Sequence, residues 1–297
     1  MKLLSTPITV DDIQKLANAG ADGLIFGTAF FSLRSAGIFS EAELSKIAVL
    51  CHTYHVEMRV LVNRLFIDQE LDRLREHLAY LKEIGADKIY YSDEAVLSIA
   101  MELNMTQILI YQSDTLLTNH MDANYYLDEG IYGTVLAKEI TLEEIKAIAN
   151  ASDASRLELI GHGYLVMMHS RRKLLSNYME HLKRNQQLSN NFHLTIEEAT
   201  RHEAMPIYED EHGTHVFSAF VQQSFAEMEQ FMQMGIGALR IDGIFHSGDD
   251  IAKIVSIYDQ MRKGTLDDKA AKEAFRASFP QIVSTSGFYY QATGTSK

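Results

Sequence analysis

One unit recurs along this chain: an amphipathic helix, a Gly-Ala-Asp or similar stop, then a short apolar strand. Such repetition restricts the fold to a layered α/β architecture, because each helix must bury its apolar stripe against a sheet. Thr9 is placed to cap a first helix with Ile13, Leu16 and Ala17 inward; Gly20 ends it, and residues 22–27 read as a strand. Ser40 and Glu43 form a capping box that opens the next helix, ahead of a strand over 58–63. A helix over 68–84 stops at Gly85 and leads into a strand over 88–92. Further strands are expected at 107–111, 133–137, 157–160 and 238–242, with a second capping box at Thr141 and Glu144. With residues 2–5 as the first, about eight strands alternate with helices, the count of a (β/α)8 TIM-type barrel. A doubly wound open sheet is the alternative; the regular count and the lack of a Gly-x-Gly-x-x-Gly turn disfavour it.

The repeat breaks between about 165 and 235. A Gly-His-Gly turn at 161–163 leads into a basic helix, the polar run 184–191 follows, and residues 206–217 read as a hairpin turning at His212 and Gly213. The expectation is a subdomain inserted between the last two barrel strands, lying over the C-terminal mouth where barrels place their chemistry. The barrel with its insertion spans 1–263, and 264–297 reads as a C-terminal tail that docks on it through apolar residues around Phe288.

A formal charge of -13 excludes a surface coated all over for nucleic acid, though not a local basic patch. Cys51 is the one cysteine, which excludes an internal disulfide and a cluster held by several thiolates of this chain. No apolar run is long enough to span a membrane, and the N-terminus is too short and polar for a signal peptide, so a cytoplasmic location without membrane contact is expected.

In a barrel the first polar residues after each strand line the mouth, which selects Asn63, Asp93, Gln112, Lys138, Glu139, His162 and Asp242. Carboxylates, an amine, an imidazole and two amides in one cavity suit a small polar anion or acid–base chemistry. The competing reading is that such residues cap helices and satisfy loop backbone. His52 with His55, and His212 with His215, have a spacing that metal sites use, but neither pair has an obvious third ligand, and no metal site is expected. Arg171, Arg172, Lys173, Lys183 and Arg184 are expected either to contact RNA phosphates or an acidic partner, or to form a solvated face.

Residues 158–178 resemble the signature of the collagenase-like peptidase family U-32: a Glu-x-Phe strand, His-Gly, a cysteine, Ser-Gly-x-Cys and Ser-Asn. Glu158, His162, Gly163, Ser170, Ser176 and Asn177 fall in register with it. Blocks around Arg34, Asn63, Asp93, Gln112, Asn119, Lys138 and Arg240 are similar as well, so the resemblance covers essentially the whole chain. Val166 stands where the first cysteine is expected, Arg171 at the glycine and Lys173 at the second cysteine, and residues 221–223 offer no thiol for a further one.

The resemblance implies oxygen-independent hydroxylation of RNA bases or of a quinone precursor, by an iron–sulfur cluster on the family's cysteines. It also implies paired paralogues in Gram-positive wobble 5-hydroxyuridine synthesis, of which this chain is similar to the short, cysteine-poor partner. On that basis this chain binds no cluster itself, and a cysteine-bearing paralogue carries it. Glu158, His162 and Asp242 are then the catalytic candidates. Arg34, Asn63, Gln112, Asn119, Lys138, Glu139 and His162 are the ligand-binding ones, with a small anion in the mouth and tRNA as the further partner. A collagenase-like hydrolase, for which only Ser170, Ser176 or the histidine pairs are available, and a non-catalytic anion-binding barrel remain as alternatives.

Overall fold

Apolar residues alternate in and out along strands that close on themselves. In the computed structural model, which describes residues 1–186, 188–198 and 201–291, the strands are β1 (Lys2–Ser5), β2 (Gly23–Phe26), β3 (Glu57–Val62), β4 (Lys88–Tyr91), β5 (Leu109–Gln112), β6 (Gly133–Val135), β7 (Leu157–Ser170), β8 (Thr195–Glu198), β9 (Arg201–Asp210), β10 (Gly213–Gln223), β11 (Ala238–Ile241) and β12 (Ser284–Thr285). The helices are α1 (Asp12–Asn18), α2 (Glu41–Thr53), α3 (Leu71–Glu83), α4 (Glu94–Glu102), α5 (His120–Asp128), α6 (Leu142–Ala151), α7 (Leu174–His181), α8 (Met228–Gln233), α9 (Gly248–Arg262) and α10 (Asp268–Ser278). Strands β1 to β7 lie side by side and parallel, and β11 pairs with both β7 and β1. This is the closed eight-strand parallel barrel of the (β/α)8 type.

The two-residue period of each strand divides the core into two layers. Leu4, Ile25, Leu61, Tyr90, Ile110 and Val135 pack inside the barrel, while their neighbours Leu3, Leu24, Val60, Ile89 and Leu109 pack outward against the helices. Both capping boxes form, at Ser40 with Glu43 and at Thr141 with Glu144. Thr9 does not cap α1: its backbone N and hydroxyl both donate to Asp12, which organises the turn from within the helix.

A charged layer lies within the barrel. Arg59, fully buried, donates from Nη1 to Glu158 Oε1 at 2.5 Å and to the Tyr90 hydroxyl at 2.9 Å, and from Nη2 to Glu57 at 2.7 Å. Burial alone would lower its pKa, but Tyr90, Glu158 and Glu57 together raise it above the ordinary arginine value. The guanidinium therefore stays charged with its hydrogen bonds met, as a buried cation requires.

The Gly-His-Gly segment is not a turn. Strand β7 continues through it for 14 residues, leaves the barrel wall, and pairs antiparallel with β10 from His162 to Ser170. A Cβ at Gly161 would lie 2.2 Å from the Leu239 side chain, and one at Gly163, whose φ is +130°, would lie 2.9 Å from Asp242 Cβ. Both glycines let β7 pass close beside β11 as it exits. The insertion then consists of the outer part of β7, α7, β8, β9 and β10, with a small core of Tyr208, Phe217 and Ile244 over the mouth.

After α9, Phe275 of α10 packs on Phe225, and the Tyr289 hydroxyl bonds to Ser224 and Gln222. Residues 292–297 of the expected tail, and 187 and 199–200 of the insertion, lie outside the described residues. Among the described residues no helix is long and apolar enough to cross a membrane.

Candidate ligand site at the barrel mouth

Two adjoining cavities open at the C-terminal ends of the strands and share Leu33, Arg34, Asn63 and Asp114. The inner one reaches Gln112, Lys138, Arg240 and Asp242; the outer one, of about 430 Å3, is bounded by Arg64, His169, Arg171, Glu211 and His212. Five cationic side chains thus face three carboxylates, in a chain whose overall balance is strongly negative. A cavity with surplus cations, walled by apolar strand ends, favours an oxyanion over a neutral or cationic ligand.

Local structure fixes each of these groups. Arg34 adopts the left-handed region at φ +54° in the loop after β2, and its Nη2 donates to Asp114 Oδ2 at 2.8 Å. Lys138 donates to the Asp114 carbonyl at 3.0 Å. Asn63, at the end of β3, accepts from the Leu33 backbone at 2.8 Å and so holds the Arg34 loop over the barrel. Arg240 pairs with Asp242 at 2.8 Å and donates to Gln112 at 3.3 Å, and its buried Nε has no partner among the described residues. A second hollow, of about 620 Å3, contains Cys51, His52, His55 and Asp87, but it lies at the N-terminal ends of β3 and β4, away from where barrels carry out chemistry.

The structure brings Arg34, Asn63, Gln112, Lys138 and Asp242 together at the mouth and does not bring the rest of the expected set there. Glu158 points into the barrel below the cavity and is bound to Arg59 and Tyr90. His162 is fully buried on the outer side of the wall among Phe225, Tyr258 and Phe275, because a bulge at Gly161 in the pairing of β7 with β11 breaks the in-and-out alternation and turns it away from the mouth. Burial, with the nearby His246, holds its pKa well below the ordinary value. Asn119 caps α5 and bonds to Asp122; Asp93 caps α4 and also accepts from Phe66 N. Glu139 lines neither cavity and is 3.5 Å from Lys138. At Asp93 and Asn119 the helix-capping reading holds instead.

Of the basic stretch, Arg171 lines the outer cavity, and Arg172, Lys173, Lys183 and Arg184 are exposed around α7. His169, Arg64 and Asp114 belong to the site but escape sequence reasoning, because their positions depend on the exit path of β7 and on loop geometry. Only Arg240 carried a signal, as an inward residue of the last barrel strand. The spacing of His212 and His215 does not make a joint site: His215 is buried against Asp210 and His169, while His212 bonds to the Ala29 carbonyl.

The two serines offered for a hydrolase are otherwise engaged. Ser176 Oγ donates to Glu209, which also accepts from Leu175 N and caps α7, and Ser170 Oγ accepts from Arg172 N. The residues present do not fit an iron–sulfur cluster. Val166 packs in the apolar roof, Arg171 and Lys173 are exposed cations, and the Gln222 amide donates to the Ile160 carbonyl. Cys51 is buried on α2, and burial followed by the charge of Asp87 pushes its thiol up to about 12, so it is no thiolate donor.

A family model described as Peptidase family U32 matches residues 8–297. Among similar curated proteins, tRNA hydroxylation protein P2 of Bacillus subtilis is 28% identical, covering 98% of this chain and 98% of that protein. The tRNA hydroxylation protein P of Escherichia coli is 25% identical over 95% of this chain and 71% of its own length. A collagenase of Porphyromonas gingivalis is 24% identical over 56% of this chain and 42% of its own length. The solved structure of the U32 peptidase Mk0906 superposes with a TM-score of 0.51 at 12% identity, covering 82% of this chain and 92% of that one, a likeness of fold.

Proposed function

Since the chain belongs to peptidase family U32, we propose that it serves in tRNA hydroxylation as a binding subunit and does not itself carry the redox centre. The observation that supports this most is the exchange of the family's cysteine positions for Val166 and Lys173, with Arg171 at the signature's glycine, beside a mouth with surplus cations. In this reading Arg34, Lys138 and Arg240 hold a small oxyanion in the mouth, with Asn63 and Gln112 fixing its orientation. Arg171 and the cations around α7 approach the phosphates of tRNA, whose wobble uridine becomes 5-hydroxyuridine. A cysteine-bearing relative holds the cluster and supplies the electron transfer, and the work is done in the cytoplasm.

Mass analysis of tRNA from a strain lacking this chain, with affinity purification of the tagged protein, tests the reading. Loss of 5-hydroxyuridine and recovery of a cysteine-bearing U32 protein are expected. Unchanged 5-hydroxyuridine in that strain would overturn the assignment. The hydrolase alternative has no observation in its favour, because neither Ser170 nor Ser176 is set up as a nucleophile.

A further inference from the structure

Strand register places two imidazoles and a carboxylate in series beside the mouth. His215 of β10 stands directly across from His169 of β7 and, on its other side, from Tyr208 of β9. Its Nε2 lies 3.2 Å from Asp210 Oδ1, and its Nδ1 lies 3.2 Å from Nδ1 of His169. His215 is fully buried with the Tyr208 ring tilted against it at a centroid distance of 4.8 Å, whereas His169 is partly open and lines the outer cavity.

We propose that Asp210, His215 and His169 form a proton relay that makes Nε2 of His169 the proton acceptor of the mouth, acting on an oxyanion-bearing ligand with a weakly acidic O–H or N–H. The inference stands on this geometry and does not depend on the tRNA reading.

The tautomers follow from the chain of hydrogen bonds. A carboxylate only accepts, so His215 carries its proton on Nε2 and leaves Nδ1 bare. His169 must then donate from Nδ1, which leaves its own Nε2 bare and free for a ligand. When the ligand's X–H bond breaks, its electron pair stays on X and the proton goes to Nε2. The proton on Nδ1 of His169 passes to Nδ1 of His215, and the positive charge comes to rest beside Asp210. His169 stays neutral throughout, which suits its surroundings: burial, His215 and Arg34 push its pKa down to about 4, against the weaker pull of Asp114 and Asp210. Asp210 stays ionised, because the hydrogen bond and charge of His215 outweigh its burial. The other charged groups facing His169 across the cavity are Arg64, Arg171, Glu211 and His212.

Nitrogen NMR of the full chain labelled at histidine reads the tautomers directly. At neutral pH His169 is expected to show a protonated Nδ1 and a bare Nε2, and adding inorganic phosphate should shift the Nε2 signal. In His215→Phe, which keeps a ring beside Tyr208, His169 should lose its bare Nε2 and take the Nε2–H form that imidazole prefers in water. A protonated Nε2 in the parent protein, or an unchanged His169 tautomer in His215→Phe, would overturn the relay. So would an Nε2 signal indifferent to phosphate.

Discussion

Nη2 of Arg34 lies 2.8 Å from Oδ2 of Asp114, joining the loop after β2 to the loop after β5 across the mouth of the barrel. The same Asp114 accepts the Lys138 ammonium on its backbone carbonyl. One residue therefore orients two cations before any ligand arrives, and the ordering that binding would otherwise demand is already met.

Replacing Arg34 by Gln should remove one charge-assisted hydrogen bond from a bound oxyanion, a loss of about 1.5–3 kcal/mol and so at least about tenfold in affinity. Calorimetric titration with inorganic phosphate measures it. Equal affinity in parent and variant would place the anion elsewhere.

Glu158 is set for stability. Changing it to Gln leaves Arg59 buried with a neutral partner on one side, while Glu57 still faces the other. Removing one member of a buried pair costs about 3–5 kcal/mol, and the remaining pair with Glu57 puts this change near the lower end. Exchanging both members for apolar residues, Arg59→Met with Glu158→Leu, should recover most of that loss. Urea unfolding of the three proteins decides the matter, and a Glu158→Gln variant as stable as the parent would contradict it.

The barrel was legible because its signal is local and repeated: each capping box and each alternating strand can be read within a few residues, as at Ser40 or Leu24 and Ile25. The mouth was legible where a residue simply ends a strand, as with Asn63, Gln112 and Asp242. It failed at His162, because a strand that continues past the barrel wall looks the same in sequence as one that stops there, and only the clash a Cβ at Gly161 would make with Leu239 reveals the difference. His169 carried no signal at all. Its role depends on an antiparallel register with His215, set by chain segments 46 residues apart.

Acid should weaken the fold through its buried imidazoles. His162 and His246 have folded pKa values below that of an unfolded histidine, both mainly through burial. Below about pH 6.5 the unfolded chain takes up protons that the folded chain refuses, so stability present above that pH is lost as the pH falls. His162→Phe removes one such group from its aromatic surroundings. Between pH 6.5 and 5 the variant should lose stability less steeply, by up to about 1.4 kcal/mol per pH unit. Urea midpoints at pH 7 and pH 5 provide the comparison, and parallel lines for the two proteins would contradict it.

The exposed cations around α7 give the tRNA reading its most direct physical test. Each phosphate contact releases condensed counterions, so affinity falls with salt at a slope set by the number of contacts. Lys173, Lys183 and Arg184 are exposed and form no ion pair among the described residues, so their removal should leave the fold intact. The triple alanine variant is expected to bind tRNA about tenfold more weakly at moderate salt, with a slope of log affinity against log salt shallower by about 2. Filter binding across a salt series measures both quantities. A weaker but equally steep line would mean that the substitutions act through structure, and an unchanged line would mean that RNA lies against another face; either result would remove α7 from the proposed path of the tRNA.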